Sequence, residues 1–451
     1  MTQQEENNKL MNSFLERTFF KGFRNPELKE CENFRTVELF LNTKCNLSCK
    51  YCYLARYGNE LYPLEFQEDK KILKNLGMLL DWMIKNKLIP YRLEYFAGEP
   101  LVQEMGLEGL EIILDKFKNV KRKPTCIVIP SNFTFLLSEN LTKRIEKLLE
   151  KSRRLSLPIG ISVSFDGKYC EANRPFKSKK ELRDDNYYDK AFASAKKWGW
   201  GFHPMIYSEL IENWEKNFLW FQENFQKHNI PWTNIYLLEV RNAEWQNEQI
   251  LKFGKFIEFL IKWTFQERCH NNPGEFINFL FDNGYNILRN PLCTIGRGLG
   301  CSIQSTMNIR VGDLTWVPCH RTSYPPFTLA RFKVKKNKIV GLESNNSELM
   351  IGIYSFDAKN QPWCQSCLLK PLCSFGCLGS QLETNGDLFS PIPTVCQLEH
   401  FKIASMIKAY KDLKIFDLIL NKVNPQKAKA FKKLEQIFEQ PAKIDIDKKQ
   451  D

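Results

Sequence analysis

The stretch Val37-Glu-Leu-Phe-Leu41, which leads into Cys45-Asn-Leu-Ser-Cys49-Lys-Tyr-Cys52, is the most informative part of the sequence. Its apolar run predicts a buried β-strand, and the cysteines then lie in the loop at the C-terminal end of that strand. Three closely spaced thiolates do not fill the four iron sites of a [4Fe–4S] cluster, so one iron stays open to chelate a molecule carrying an amine and a carboxylate. A zinc knuckle is the alternative, but three ligands without a nearby histidine make a poor closed zinc site.

The sequence that follows alternates short apolar runs with longer amphipathic segments, which indicates repeated β–α units around a parallel sheet. We expect an α/β fold whose first part is a partial (β/α)6 TIM-like barrel, with its chemistry at the C-terminal ends of the strands. The predicted strands are residues 37–41, 92–96, 126–130, 159–165, 201–206 and 235–240, and the predicted helices are residues 71–87, 107–117, 141–151, 188–198, 213–228 and 249–266.

Changes in composition divide the chain into five parts. We expect residues 1–34 to form a short, polar and partly helical N-terminal extension, residues 35–266 the barrel, and residues 267–300 a bridging region interrupted by glycine and proline. Residues 301–400 contain seven further cysteines and form a second domain, and residues 401–451 form a helical C-terminal tail with a frayed end.

The composition is that of a globular protein, with 43% hydrophobic and 26% charged residues. No apolar run of about 18 residues and no secretory signal occur, so we expect a cytoplasmic protein without a membrane partner. In a reducing compartment, 15 cysteines indicate metal ligation or catalysis rather than disulfides. The formal charge of +13 is spread along the chain, which favours an ordinary solvated surface over nucleic-acid binding and also suits an acidic peptide or a flavodoxin-like electron donor.

The C-x3-C-x2-C spacing followed by Tyr53 resembles the motif of the radical S-adenosylmethionine (radical SAM) superfamily. At the end of the second predicted strand, Ala97-Gly98-Glu99-Pro100 is similar to the Gly-Gly-Glu-Pro segment of that family, with Ala97 as a departure. The resemblance implies that Glu99 faces the ammonium group of S-adenosylmethionine.

Polar residues at the ends of the following strands extend the resemblance in the family's order. Ser131-Asn132 ends the third strand, Ser162, Ser164 and Asp166 share a face of the fourth, and Arg174 follows shortly after. On the fifth strand, His203 and Met205 are expected to line the cavity. The expected cofactor-binding residues are therefore Ala97, Gly98, Glu99, Pro100, Ser131, Asn132, Ser162, Ser164, Asp166, Arg174 and Met205.

The family resemblance implies a reaction. The cluster would bind S-adenosylmethionine through its open iron, and one electron would cleave a carbon–sulfur bond to give methionine and a 5′-deoxyadenosyl radical. That radical would abstract hydrogen from a substrate, while the protein supplies position and exclusion of solvent.

The remaining cysteines resemble the SPASM domain, the auxiliary-cluster extension of peptide- and protein-modifying radical SAM enzymes. That resemblance assigns Cys293, Cys301, Cys319 and Cys377 to one auxiliary [4Fe–4S] cluster, and Cys364, Cys367, Cys373 and Cys396 to another. Cys293 lies outside the core seven. Two zinc ribbons are the alternative, but no second C-x2-C pair stands at ribbon spacing. Three [4Fe–4S] clusters and S-adenosylmethionine are thus the expected cofactors.

Two substrate classes are open. The preferred one is a ribosomally synthesised precursor peptide that undergoes crosslinking, epimerisation or excision. The other is sulfatase maturation to formylglycine; those relatives place an aspartate base after the third auxiliary cysteine, where this chain has Cys319-His320-Arg321. A third interpretation, from another class, is a non-catalytic iron–sulfur electron carrier.

The candidate catalytic residues are His320, as a proton acceptor, and Glu239 and Arg241, on one face near the end of the sixth strand. A structural ion pair is the alternative for Glu239 and Arg241. The expected partners are the precursor peptide and a flavodoxin- or ferredoxin-like reductant. Only about 35 residues precede the first strand, too few for a leader-binding module, so leader recognition would need a separate protein or the barrel surface.

Overall fold

A computed structural model of the chain describes residues 2–28, 34–178, 183–293, 303–357, 360–373 and 375–439. Its strands are β1 (Thr36–Phe40), β2 (Arg92–Phe96), β3 (Cys126–Ser131), β4 (Ile159–Val163), β5 (Gly201–Phe202), β6 (Met205–Ile206), β7 (Leu238–Glu239), β8 (Thr306–Arg310), β9 (Thr315–Val317), β10 (Ala330–Lys335) and β11 (Lys338–Ser344).

The helices of the first half mostly follow these strands one by one. They are α1 (Gln3–Arg17), α2 (Phe19–Arg24), α3 (Tyr53–Leu61), α4 (Asp69–Lys85), α5 (Glu104–Phe117), α6 (Glu139–Arg154), α7 (Asp185–Trp198), α8 (Trp214–Lys227) and α9 (Asn247–Trp263). The helices of the second half are α10 (Pro273–Asn278), α11 (Asn286–Cys293), α12 (Ser347–Ser355), α13 (Pro362–Gln365), α14 (Leu378–Asn385), α15 (Pro393–Asp412), α16 (Phe416–Lys422) and α17 (Pro425–Glu439).

Nine strands form one sheet in the order β11-β10-β9-β8-β1-β2-β3-β4-β5, and β6 pairs with β7 beside it. Strands β8 and β1 to β5 run parallel, whereas β9, β10 and β11 run antiparallel. The expected α/β fold with a large parallel sheet is confirmed. The described part of the cysteine-rich region continues the barrel sheet through β8, which pairs directly with β1.

The strand register places polar side chains at one level inside the barrel. Glu38 of β1 is level with Glu94 of β2 and with Asn308 of β8. Since successive residues of a strand point to opposite faces, residues at one level share a face. Two carboxylates therefore stand side by side within the barrel.

The outer helices bury apolar residues at helical spacing. In α4, for example, Ile72, Leu76, Leu79 and Met83 are buried at intervals of three or four, which covers one face of the sheet. The helix predicted over 71–87 begins and ends two residues earlier than expected. The other barrel helices match their predictions in place and differ by a few residues at their ends.

The strand predicted over 201–206 is split into β5 and β6 by Pro204. Proline has no N–H to donate to a strand ladder, so continuous pairing is interrupted there. β5 stays in the main sheet while β6 pairs with β7, and of the strand predicted over 235–240 only Leu238–Glu239 forms a strand.

The N-terminal segment, expected to be a polar and partly helical extension, contains two helices that pack on the protein. Thr2 and Glu5 form a capping box that starts α1, and the helix buries Met11 and Leu15. Phe19 of α2 then packs edge-to-face against Trp316 of β9. At the other end of the chain, α15 packs along α9. None of the helices in the described residues is both long and apolar enough to span a membrane.

Candidate functional site

The three cysteines of the loop after β1 share one cavity. Cys45, Cys49 and Cys52 are each half-buried and line a cavity of about 490 Å³ at the C-terminal ends of the strands. The loop is fixed by the segment that carries Arg174, since the N–H of Ser48 donates to the carbonyl of Pro175 at 2.8 Å. The loop therefore stands where the parallel sheet predicts chemistry.

The environment of these thiols fits the binding of a metal cluster. Burial raises the pKa of Cys45 and of Cys49 to about 12. Thiolates at these positions therefore need positive charge, which iron supplies. In the described ranges no group of three or more His, Cys, Asp or Glu side chains is arranged to hold a metal ion. A cubane takes each thiolate on a separate iron, so its ligands need not converge on one point.

The Ala97-Gly98-Glu99-Pro100 turn brings a buried carboxylate to the cavity. A Cβ at Gly98 would lie 2.3 Å from the carbonyl oxygen of Lys44, so only glycine allows the turn to pass the cysteine loop this closely. The Glu99 side chain accepts hydrogen bonds from the Ser131 hydroxyl at 2.9 Å and from the Asn132 N–H at 2.5 Å. Burial raises the pKa of Glu99 to about 7, although these hydrogen bonds act in the opposite direction.

Most of the expected cofactor-binding residues line this cavity. They are Ala97, Gly98, Glu99, Ser131, Asn132, Ser162, Ser164, Arg174 and Met205. Pro100 is buried and starts a 3₁₀ turn behind the cavity wall instead.

Asp166 is an expected cofactor-binding residue that organises the cavity from behind its wall. It is fully buried, and one carboxylate oxygen lies 2.9 Å from Nε of Arg174. The same oxygen accepts the N–H of Met205 at 2.9 Å, and the Tyr51 hydroxyl contacts the carboxylate as well. One carboxylate thus fixes Arg174, the start of β6 and the cysteine loop together.

His320 lines the cavity from the segment after β9. Its Nδ1 lies 2.8 Å from both carboxylate oxygens of Glu38, and its ring stacks on Phe96 with centroids 4.3 Å apart. Burial lowers the pKa of His320, but the nearby Glu38 carboxylate outweighs that effect and raises it above its usual value. Sequence reasoning missed Glu38; a charged residue inside an otherwise apolar predicted strand is the signal that could have indicated it.

Of the two candidates on the sixth predicted strand, the structure brings Arg241 to the cavity and not Glu239. Glu239 is buried and paired with Arg241, whose Nη2 lies 2.6 Å from its carboxylate. Burial alone would raise the pKa of Glu239, but Arg241 and Lys402 lower it well below the usual range. Glu239 thus corresponds to the structural ion pair, and its carboxylate holds Arg241 in place.

The four cysteines assigned to the second auxiliary cluster surround a small cavity of their own. Cys364, Cys367, Cys373 and Cys396 all line a cavity of about 80 Å³ between α13 and the start of α15. The Phe375 N–H donates to Cys373 Sγ at 3.2 Å. Four thiols around one small cavity, one of them accepting a backbone N–H, fit the donor set of a closed [4Fe–4S] cluster.

The other auxiliary set is only partly within the described residues, because Cys301 lies outside them. Cys377 precedes α14, and Arg321 with the N–H groups of Gly379 and Ser380 lowers its pKa although burial raises it. Cys319 Sγ lies 3.4 Å from the Thr322 hydroxyl, and Cys293 ends α11 with Sγ 3.8 Å from the Phe281 carbonyl. Their assignment to one cluster stays a prediction.

A second cavity, of about 1030 Å³, opens toward the N-terminal ends of the barrel strands. It shares Arg92, Glu94, Val128, Ser162 and His203 with the cysteine cavity, so the two cavities adjoin inside the barrel. His203 Nε2 is buried without a hydrogen-bond partner among the described residues, and burial lowers the pKa of His203 to about 4. The Nε2 atom of a neutral imidazole therefore stands at the junction of the two cavities, while its Nδ1 lies 3.5 Å from the Ser162 hydroxyl oxygen.

Comparisons with known proteins agree with this geometry. No protein-family model matches the chain. The chain is 24% identical over 282 residues to the uncharacterized protein MJ0907 of Methanocaldococcus jannaschii, covering 60% of this chain and 88% of that one. It is 23% identical over 183 residues to the radical SAM cyclopropyl synthase TigE of Paramaledivibacter caminithermalis, covering 36% of each chain, about a third of TigE.

Among solved structures, the chain resembles anSMEcpe with bound S-adenosylmethionine, with a TM-score of 0.52 and 14% identity over 88% of this chain and 98% of that one. The complex of anSMEcpe with S-adenosylmethionine and the Cp18Cys peptide matches with a TM-score of 0.50 and 14% identity, over 86% and 98% of the two chains. These similarities establish the shared fold. The partial sequence similarity to TigE and the shared fold agree with the resemblance of the cysteine motif to that of radical SAM enzymes.

Proposed function

We propose that this enzyme is a radical SAM peptide maturase that abstracts a hydrogen atom from a residue of a ribosomally synthesised precursor peptide. The observation that carries the proposal is the shared cavity, in which Cys45, Cys49 and Cys52 face Glu99 and Arg174. Three thiols, a buried carboxylate and a guanidinium at the ends of successive parallel strands suit a cluster whose open iron binds an amino acid derivative.

Each group of cavity residues has a role toward the cofactor. Cys45, Cys49 and Cys52 would hold the cluster, and Glu99 would balance the ammonium group of S-adenosylmethionine. Arg174, fixed by Asp166, would bind its carboxylate. The other polar and small residues of the wall would contact the remainder of the cofactor: Ala97, Gly98, Ser131, Asn132, Ser162, Ser164 and Met205. When bound, cluster and cofactor together supply a 5′-deoxyadenosyl radical to the cavity.

Two closed auxiliary [4Fe–4S] clusters complete the proposed cofactor set. One would be held by Cys364, Cys367, Cys373 and Cys396, which surround a single cavity. The other would be held by Cys293, Cys301, Cys319 and Cys377. Full cysteine ligation leaves neither cluster an open iron, which favours electron transfer over direct substrate binding.

The substrate would enter the barrel interior, where two adjoining cavities of about 490 and 1030 Å³ exceed the space that S-adenosylmethionine alone requires. A peptide is favoured because anSMEcpe, of the same fold, has been solved with a peptide bound. His320 would accept a proton from the substrate at Nε2, since Glu38 engages its Nδ1. Arg241, held by Glu239, would contact the substrate from the opposite wall.

The reaction would also need an electron donor and a surface that binds the leader part of the precursor. A flavodoxin- or ferredoxin-like donor would deliver the electron that starts each turnover. A separate protein or the barrel surface would bind the leader part of the precursor, and the excess of lysine and arginine suits an acidic partner in either role.

The first test is the cleavage of S-adenosylmethionine. The protein is reconstituted anaerobically with iron and sulfide, reduced with dithionite and supplied with S-adenosylmethionine, and 5′-deoxyadenosine is quantified. We expect product from the unsubstituted protein and none from the Cys45→Ala, Cys49→Ala and Cys52→Ala variants. Cys126→Ala removes a half-buried cysteine of β3 outside all cluster sets and serves as the matched control, with activity retained. No 5′-deoxyadenosine from the unsubstituted protein would favour an electron carrier.

The second test identifies the substrate class. Peptides encoded by short reading frames beside the gene are incubated with the reduced enzyme and analysed by mass spectrometry, in parallel with a cysteine- or serine-containing sulfatase peptide. A mass change on a precursor peptide supports the maturase. Formylglycine on the sulfatase peptide alone would contradict it in favour of sulfatase maturation.

A further inference from the structure

Four charged side chains form a buried network between the barrel and the cysteine-rich region. Arg241 Nη2 lies 2.6 Å from Glu239 and 2.9 Å from Glu399, and Lys402 Nζ lies 2.7 Å from Glu399 and 3.5 Å from Glu239. The Glu239, Glu399 and Lys402 side chains are only 2–3% exposed. The two acids and two bases balance, so the network is neutral as a whole.

This network stands between the two cavities that hold the proposed clusters. Arg241 lines the cavity of the cysteine loop, whereas Glu399 lines the cavity surrounded by Cys364, Cys367, Cys373 and Cys396. A single ion pair therefore reaches both cavities.

A hydrogen-bonded connection runs the same way. Arg241 Nη1 donates to the carbonyl of Phe375 at 2.5 Å, and the Phe375 N–H donates to Cys373 Sγ at 3.2 Å. Phe375 adopts φ 54°, a left-handed conformation that is unfavourable for a bulky residue. The contacts on both sides of Phe375 hold it in that conformation and aim its N–H at the sulfur.

Burying four charges is a poor way to gain stability, because well-packed apolar residues of similar volume are often as stable or more so. Charges and hydrogen bonds near a cluster, by contrast, shift its reduction potential directly. We propose that the Glu239–Arg241–Glu399–Lys402 network sets the reduction potential of the cluster held by Cys364, Cys367, Cys373 and Cys396, with Arg241 as the positioning residue that ties this cluster to the substrate cavity.

The proposal rests on the proposed function only in that these four cysteines hold a cluster. It gives Arg241 and Glu239 a role besides the contact of Arg241 with the substrate. It also gives a role in electron transfer to Glu399 and Lys402, which no motif indicated. Reduction adds one negative charge to the cluster, so a nearby positive charge favours the reduced form and a negative charge opposes it.

The test measures midpoint potentials of the anaerobically reconstituted holoenzyme by redox titration with electron paramagnetic resonance. The signal of this cluster is the component of the resonance spectrum that disappears in the Cys364→Ala and Cys396→Ala variants. Glu399→Gln leaves the network with one positive charge in excess and is expected to raise this potential. Lys402→Met leaves one negative charge in excess and is expected to lower it, and a tenfold change in the one-electron equilibrium corresponds to about 59 mV.

Matched controls come from an ion pair on another part of α15. Lys408 and Glu258 form an exposed ion pair between α15 and α9, so Glu258→Gln and Lys408→Met change the total charge equally and are expected to leave the potential unchanged. The double variant Glu399→Gln/Lys402→Met keeps the network neutral and is expected to return the potential toward that of the unsubstituted enzyme. If the Lys402→Met variant loses iron, the double variant is compared with Glu399→Gln instead, and its potential must be the lower of the two.

Potentials of Glu399→Gln and Lys402→Met that match the unsubstituted enzyme, or that move in the same direction, with iron content retained, would overturn the proposal. A merely structural network would produce one of those results. If no component disappears in Cys364→Ala and Cys396→Ala, these cysteines hold no cluster; that outcome overturns the cluster assignment of the proposed function itself and is distinguishable from the first.

Discussion

The Tyr51 hydroxyl lies 3.0 and 2.8 Å from the two carboxylate oxygens of Asp166. Tyr51 stands between the second and third cysteines of the loop that follows β1, and Asp166 follows β4. The contact therefore links this loop to the end of a strand that lies three positions from β1 in the sheet. The position of three thiols therefore depends on a hydrogen bond that the cysteine motif does not contain.

Tyr51→Phe is expected to loosen the cysteine loop without unfolding the protein. The substitution removes a hydrogen bond to a charged group, which contributes about 1.5–3 kcal/mol, so affinity for S-adenosylmethionine should fall roughly tenfold or more. Isothermal titration of the reconstituted enzyme with S-adenosylmethionine gives the dissociation constant. Tyr91→Phe, at a half-exposed tyrosine before β2, is the control and should change nothing. Equal affinities for both variants would show that the contact is dispensable.

Binding of S-adenosylmethionine is expected to weaken in mild acid. Burial raises the pKa of Glu99 to about 7, and only the ionised carboxylate balances the ammonium group of the cofactor. As pH falls through about 7 the carboxylate is lost, and one pH unit below its pKa only about a tenth remains ionised, so affinity should fall about tenfold. The dissociation constant measured between pH 6 and 8 tests this.

Glu99→Gln is the matched variant for that experiment. It keeps the shape and loses the charge, so it should bind weakly at every pH and show a flat profile over the same range. A profile for Glu99→Gln as steep as that of the unsubstituted enzyme would assign the titration to another group.

Gly160→Trp is expected to separate cofactor chemistry from peptide modification. A Cβ at Gly160 would meet no atom within 4 Å, and Gly160 lines the larger cavity, so an indole can extend into the barrel interior without displacing backbone. Filling this space should abolish peptide modification, while 5′-deoxyadenosine formation without peptide should continue. Gly341→Trp places the same side chain in equally open space on β11, outside both cavities, and should leave both reactions intact. Unimpaired peptide modification by Gly160→Trp would contradict binding of the peptide in the interior.

The parts of the fold that local sequence determines were predictable. Apolar runs and helical spacing located the barrel strands and helices, because the hydrophobic periodicity of each element depends only on the residues of that element. The same holds for Glu99, Ser131 and Asn132: parallel strands end at one edge, so polar residues just after successive strands meet there, as the structure shows.

Contacts between distant segments were not predictable in this way. His320 and Glu38 are separated by 282 residues, and their pairing depends on β8 joining the barrel beside β1. The packing of the N-terminal helices onto the protein was not predicted, because α1 is mostly polar and only the burial of Met11 and Leu15 against the rest of the protein reveals their role.

Asp313→Asn is expected to destabilise the junction between the barrel and the cysteine-rich region. Arg310 of β8 is 1% exposed and forms a bidentate pair with Asp313, at 2.9 Å for Nε and 2.6 Å for Nη2, while its Nη1 donates to the carbonyls of Leu61 and Ser323. Removing one partner of a buried pair leaves an uncompensated charge and costs about 3–5 kcal/mol, so the thermal unfolding midpoint should fall. The exposed Lys333–Glu343 pair is the control: Glu343→Gln should cost at most about 1 kcal/mol. Equal midpoints for Asp313→Asn and Glu343→Gln would mean that Arg310 is held without the Asp313 carboxylate.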